Sequence, residues 1–175
     1  RYILTNSNDK TARLWNFDGT LVANLNRHTN VVHIAVFSPD GQTILTASYD
    51  HSVKLWSLKG ELLADLRNHS ATIHSAVFSP DGQYVLTASY DKTARLWNLK
   101  GELLATLSCD ESVTAALFSP DGQTILTLSG WSAQLWTLQG ERIADMNRHG
   151  DFVGSVAFSP DGKYMLTGSL DDTAK

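Results

Sequence analysis

The tightest constraint in this chain is a repeat. The string Phe-Ser-Pro-Asp-Gly begins at Phe37, Phe78, Phe118 and Phe158, in steps of 41, 40 and 40 residues. The pair Leu-Trp ends at Trp15, Trp56, Trp97 and Trp136, in steps of 41, 41 and 39. Two independent markers that keep phase over the chain imply one supersecondary unit copied in tandem. Such a unit cannot bury its apolar faces alone and must stack on its neighbours.

One unit, residues 29–69, reads as four strands. Residues 31–37 form a β-branched, apolar run, and Ser38-Pro39-Asp40-Gly41 is turn chemistry, with Pro presetting φ and Gly supplying φ > 0. Residues 43–47 make a second strand. Tyr49-Asp50-His51 is a short turn, and residues 52–56 a third strand. Leu58-Lys59-Gly60 is a tight hairpin, and its counterpart Asp18-Gly19 predicts a two-residue hairpin loop. Residues 61–66 complete the set. No stretch sustains a 3.6-residue apolar period, so no helix is expected. Ile44 and its neighbours Leu45 and Ala47 put apolar side chains on both faces, as in a sheet covered on both sides. Glu61 and Asp65 suit an outer edge, where charge discourages edge-to-edge association. A four-stranded antiparallel meander of this length that stacks on copies of itself is a propeller blade.

These residues resemble the WD-repeat β-propeller family. The resemblance rests on repeats ending in Leu-Trp, an Asp six positions before that Trp, and a His in the loop before the first strand. The Asp usual after the Trp is replaced by Asn16, Ser57, Asn98 and Thr137. The near-uniform repeats are similar to those of large bacterial, particularly cyanobacterial, multi-repeat WD proteins. The resemblance implies an all-β propeller of four-stranded antiparallel blades, here an incomplete ring of about four to five. The expected blades are 1–26 (partial), 27–67, 68–107, 108–147 and 148–175 (partial). A seven-bladed ring would need roughly 290 residues at this period, so the chain is expected to be a fragment of a longer repeat protein.

Composition narrows the function classes. A net charge of −4 and a pI near 5.8 argue against a nucleic-acid surface, which concentrates basic residues. No run of about 18 apolar residues exists to span a membrane, and the start carries no signal-peptide pattern. Cys109 is the one cysteine, which rules out an internal disulfide framework. A cytoplasmic location is the expectation.

Ser, His and Asp recur together, as in a hydrolase triad. An active site is not copied into every repeat, however, whereas a structural device is. The resemblance implies a hydrogen-bonded tetrad in which Asp accepts, His donates and accepts, and Ser passes the network to the Trp indole. Its members are His28, Ser48, Asp50 and Trp56 in the second blade and His69, Ser89, Asp91 and Trp97 in the third. The first supplies Ser7, Asp9 and Trp15, and the fifth His149, Ser169 and Asp171. The fourth blade is one residue short in each of two loops. Its Ser108-Cys109-Asp110-Glu111 has no His, and its Ser129-Gly130-Trp131-Ser132 has no Asp. The two partners are absent together. His28 with His33, or His69 with His74, lacks the convergent ligands zinc requires, and Cys109 reads as an incidental loop thiol. No phosphate-binding glycine motif is present. No catalytic residue, metal or cofactor is expected.

What varies between repeats bears on binding. In the family, the positions before the turn Asp and at the start of the first strand line a face used for partners. Here they hold Tyr49, Tyr90, Trp131, His33, His74 and Phe152, and aromatic side chains of this kind anchor interfaces. The expected function is a non-catalytic scaffold or sensor that docks a protein or peptide there. The alternatives are a propeller enzyme with a central-channel site, a regulatory domain attached to a signalling ATPase, and pairing between chains through open blade edges.

Overall fold

Strands that are apolar on both faces cannot make a single two-layer core; they must be interleaved. The computed structural model describes residues 1–146 and 149–175, and the regular elements among them are all strands. The expected boundary between the fourth and fifth blades, at 147/148, lies outside the described residues. The first sheet contains β1 (Tyr2–Asn6), β2 (Ala12–Asn16) and β3 (Leu21–Leu25). The second contains β4 (Val32–Phe37), β5 (Thr43–Ser48), β6 (Ser52–Ser57) and β7 (Leu62–Arg67). The third contains β8 (Ile73–Phe78), β9 (Tyr84–Ser89), β10 (Thr93–Asn98) and β11 (Leu103–Ser108). The fourth contains β12 (Val113–Phe118), β13 (Thr124–Ser129), β14 (Ser132–Thr137) and β15 (Arg142–Asp145), and the fifth β16 (Val153–Phe158) and β17 (Met165–Ser169). Each sheet is an antiparallel meander in chain order, and the array is open.

The core is a series of layers between sheets. Ile44 faces the first sheet, packing with Leu14, Leu25 and Trp56. Its neighbours Leu45 and Ala47 face the third, packing with Ile73 and Val85. All five of the aliphatic residues Ile44, Leu45, Ala47, Ile73 and Val85 are fully buried. Two further layers follow, one between the third and fourth sheets and one between the fourth and fifth. Each large apolar side chain buried this way contributes about 1.5–3 kcal/mol.

The Phe-Ser-Pro-Asp-Gly turns lock the layers at one end. Ser38 Oγ donates to Asp40 Oδ1 at 2.5 Å and accepts the Thr43 N–H at 2.9 Å. The same turn stacks from sheet to sheet. Gly82 has φ +72°, and a Cβ there would meet Pro39 of the previous turn at 3.5 Å.

The Asp18-Gly19 hairpin differs from expectation. Asn16 N–H bonds to Thr20 O, so the loop holds three residues, 17–19. Gly19 has φ +85°, while Asp18 keeps a negative φ. A two-residue turn of the type expected needs φ > 0 at both central positions, which Asp reaches only at a cost. The extra residue leaves that burden to glycine alone.

β-bulges were not visible in the sequence. Where β4 meets β5, Val32 pairs with Ser48 and Ile34 with Ala47, so His33 is the extra residue. His74, Thr114 and Gly154 occupy the same position in the next three sheets. A bulge turns its side chain away from the ordinary alternation.

Candidate functional site

The polar residues of the second and third sheets form a directional chain. His28 Nδ1 lies 2.9 Å from Asp50 Oδ2, and Nε2 lies 2.8 Å from Thr46 Oγ1. Trp56 Nε1 donates to the same Thr46 oxygen at 2.8 Å. A carboxylate only accepts, so Nδ1 carries the proton, Nε2 accepts from the Thr46 hydroxyl, and that hydroxyl accepts from the indole. The third sheet repeats it through Asp91, His69, Thr87 and Trp97, with distances of 2.8, 2.7 and 3.0 Å. His149 bridges Asp171 and Thr167 at 2.9 and 2.8 Å in the fifth.

This corrects the expected role of the serines. Trp56 stands opposite Ile44. Thr46 is two residues along β5 from Ile44, and Ser48 is four, about 13 Å away at the usual rise and beyond the reach of the indole. Ser48 Oγ instead accepts the Asp50 N–H at 3.1 Å and donates to Asn30 O at 2.9 Å. Ser89 and Ser169 do the same to Ala71 O and Asp151 O. The serines tie the turn to the preceding loop, and threonine carries the relay. The threonines had a legible signal: Thr5, Thr46 and Thr87 each stand ten residues before a Trp. In the first sheet, Trp15 donates to Thr5 Oγ1 at 2.9 Å. Ser7 accepts the Asp9 N–H, and Asp9 pairs with Arg13 at 2.6 Å.

Burial opposes the charge on Asp91, but hydrogen bonds from Thr93 and His69 outweigh it and bring the carboxyl down to about 2. The balance is the same at Asp50, where burial is overcome by bonds from His28 and Ser52. Burial also pushes the His69 imidazole below its ordinary value, which favours the neutral ring the relay requires. Although this is an Asp-His-hydroxyl series, Thr46 is fully buried and its oxygen is occupied by the indole. That hydroxyl has no path to a substrate.

The fourth sheet keeps the end of the chain and loses its beginning. Trp136 donates to Thr127 Oγ1 at 2.9 Å, and Ser129 Oγ donates to Glu111 O at 2.8 Å. Cys109 occupies the histidine position, with Sγ 3.7 Å from Thr127 Oγ1. It stands 18 residues before that Thr, as His28 does before Thr46. So Cys109 is not incidental; its spacing marked it. Burial pushes its thiol up, away from the reactive thiolate. The turn shrinks to Gly130-Trp131, with Ser129 paired to Ser132 and Gly130 at φ +58°.

The aromatic candidates share one end of the array but gather in two places. His33 stacks on Tyr49, with centroids 4.5 Å apart, and His74 tilts against Tyr90 at 5.3 Å. These four line a depression of about 500 Å³ between the second and third sheets. The tyrosines remain 45 % and 47 % exposed. His33 Nε2 bonds to Ile73 O at 2.8 Å across the sheet seam, fixing the ring. Trp131 and Phe152 line a separate cavity of about 580 Å³ between the fourth and fifth sheets.

A family model described as "WD domain, G-beta repeat" matches residues 19–57, 60–98, 101–137 and 140–175. No curated protein matches the chain.

Proposed function

The chain belongs to the WD-repeat family, and on that premise we propose that it is a non-catalytic module that docks a protein or peptide on the end of the array holding the turns of Tyr49 and Tyr90. WD repeats generally mediate protein–protein interaction and scaffolding, and proteins built from them are typically non-catalytic. The observation that carries this reading is the platform of Tyr49, His33, His74 and Tyr90. It is exposed at its tyrosines, held rigidly by the His33–Ile73 bond, and concave. Rigid aromatic side chains give contact area at small entropic cost. The bulges at His33 and His74 aim those rings toward the tyrosines of the turns.

A photo-crosslinking amino acid in place of Tyr49 or Tyr90 tests this. Partner adducts are expected there and not from the same group at Leu63 or Leu104 on the outer strands. Adducts confined to the outer strands would move the site to the sheet edges. Replacing both tyrosines with alanine is expected to abolish capture while leaving the unfolding midpoint within about 0.5 kcal/mol of the parent, as for exposed positions.

A further inference from the structure

The fourth sheet departs from its neighbours at one more position, beneath the Trp131 cavity. Two residues before their Trp, the first three sheets carry a cation there: Arg13, Lys54 and Arg95. Lys54 is fully buried and pairs with Asp65 at 2.6 Å. The fourth sheet has Gln134, which is 1 % exposed and forms part of the cavity wall. Its Nε2 donates to Asp145 Oδ2 at 3.3 Å, leaving Oε1 buried with no partner. Turning the amide would set its oxygen against that carboxylate, so the orientation is fixed and the acceptor stays unsatisfied. A buried acceptor without a donor is unfavourable.

The rest of the cavity wall suits a cation. Trp131, 58 % exposed, offers an indole face, and Phe152 lines the same cavity. Asp110 and Glu111 also line it. The nearby cation, Lys92, spends its ammonium on Asp110 O at 2.8 Å and lies 3.7 Å from Glu111. No cation pairs with the Asp110 carboxylate among the described residues. An exposed aromatic face beside carboxylates is a site for an organic cation.

We propose that this cavity receives a lysine or arginine side chain of the docked partner, so that the bound segment is basic. The inference rests on the docking reading above and names its chemistry. The incoming ammonium or guanidinium lies on Trp131 and faces Asp110 and Glu111, bringing the positive charge that the fourth sheet lacks where the others carry Arg13, Lys54 and Arg95.

The test uses blocked amino acids with the whole chain: N-acetyl N-methylamides of arginine and lysine, against those of citrulline and norleucine. The readout is the indole N–H resonance of Trp131, assigned by its loss in Trp131→Phe. Saturable shifts are expected with the two cationic probes, at least tenfold weaker with the neutral ones. Gln134→Lys should abolish them by filling the site from within. The exposed pair Asp110→Asn with Glu111→Gln, which leaves the fold alone, should weaken binding at least fivefold. Equal shifts from citrulline, or unchanged binding in the Asp110/Glu111 pair, would overturn the inference. Tyr49→Ala with Tyr90→Ala should not move these shifts. Thus, lost cationic probe binding with intact partner adducts at Tyr49 defeats this inference alone. Intact probe binding without those adducts defeats only the wider reading.

Discussion

The third and fourth sheets share a strand plan and differ in what lies between their loops. Both bury a Trp, at 3 % and 5 % exposure, and both bond its indole to a Thr. In the third, the Thr continues into His69 and Asp91, and Asp91 caps the Ser70 N–H at 3.1 Å. In the fourth, the chain stops at Cys109. The sheet forms either way, so layer packing makes the strands and the polar chain ties their loops. Where the chain is present, the loops are held and present Tyr90. Where it is missing, the turn tightens to Gly130-Trp131 and lines the Trp131 cavity.

The largest expected effect is one the two sheets should share. Trp97→Ala and Trp136→Ala each remove a buried indole, and each should cost about 3–5 kcal/mol in denaturant unfolding. A difference between them greater than about 1.5 kcal/mol would mean that the polar chain, not the packing, sets the worth of the Trp.

The threonines come next and should separate the sheets. Thr87→Val strands both the Trp97 N–H and His69 Nε2, whereas Thr127→Val strands the Trp136 N–H and a weak sulfur contact. At about 1–3 kcal/mol for each buried polar group left unpaired, the first should cost roughly twice the second. Ser89→Ala should cost less than Thr87→Val. The reverse order would restore serine as the relay.

The aspartate is smaller and has a pH signature. Asp91→Ala should cost about 1–3 kcal/mol near neutral pH. Its folded carboxyl titrates at about 2, below an unfolded value of about 3.9. It therefore contributes stability that is complete above about pH 4 and is lost as pH falls through about 2. Asp91→Asn should flatten unfolding free energy against pH in that window. The fourth sheet offers no counterpart carboxyl at its turn.

Much of this was legible because the repeats repeat. Sheet order, the strand ends near Phe37 and Trp56, and the loss of His and Asp from the fourth unit follow from counting between fixed markers. What was hidden depends on geometry that counting does not carry. Which hydroxyl reaches the indole depends on register: Thr46 and Ser48 point to the same face, two residues apart, and distance along the strand separates them. The bulges at His33 and His74 leave no mark in composition, since the extra residue is an ordinary strand residue. The loss of the cation at Gln134 was countable, since it stands two residues before Trp136 as Lys54 and Arg95 stand before theirs, but its unpaired amide oxygen was not. The Trp131 and Tyr90 aromatics, adjacent in role, proved to line different depressions.

The smallest effect tests whether the fourth sheet has adapted to its loss. Cys109→Ala removes one long contact of 3.7 Å and a little half-buried volume, and should cost less than about 1 kcal/mol. Cys109→His restores the ring but not its aspartate. The imidazole could still accept from Thr127 through Nε2, but its Nδ1–H would face a loop that no longer carries a carboxylate. An unpaired buried donor costs about 1–3 kcal/mol, so this variant should be less stable than Cys109→Ala despite resembling the other sheets more closely. If it proves more stable, histidine alone holds the loop, and the joint absence of His and Asp is not a matter of partnership. Unfolding curves of the two single variants decide between these outcomes.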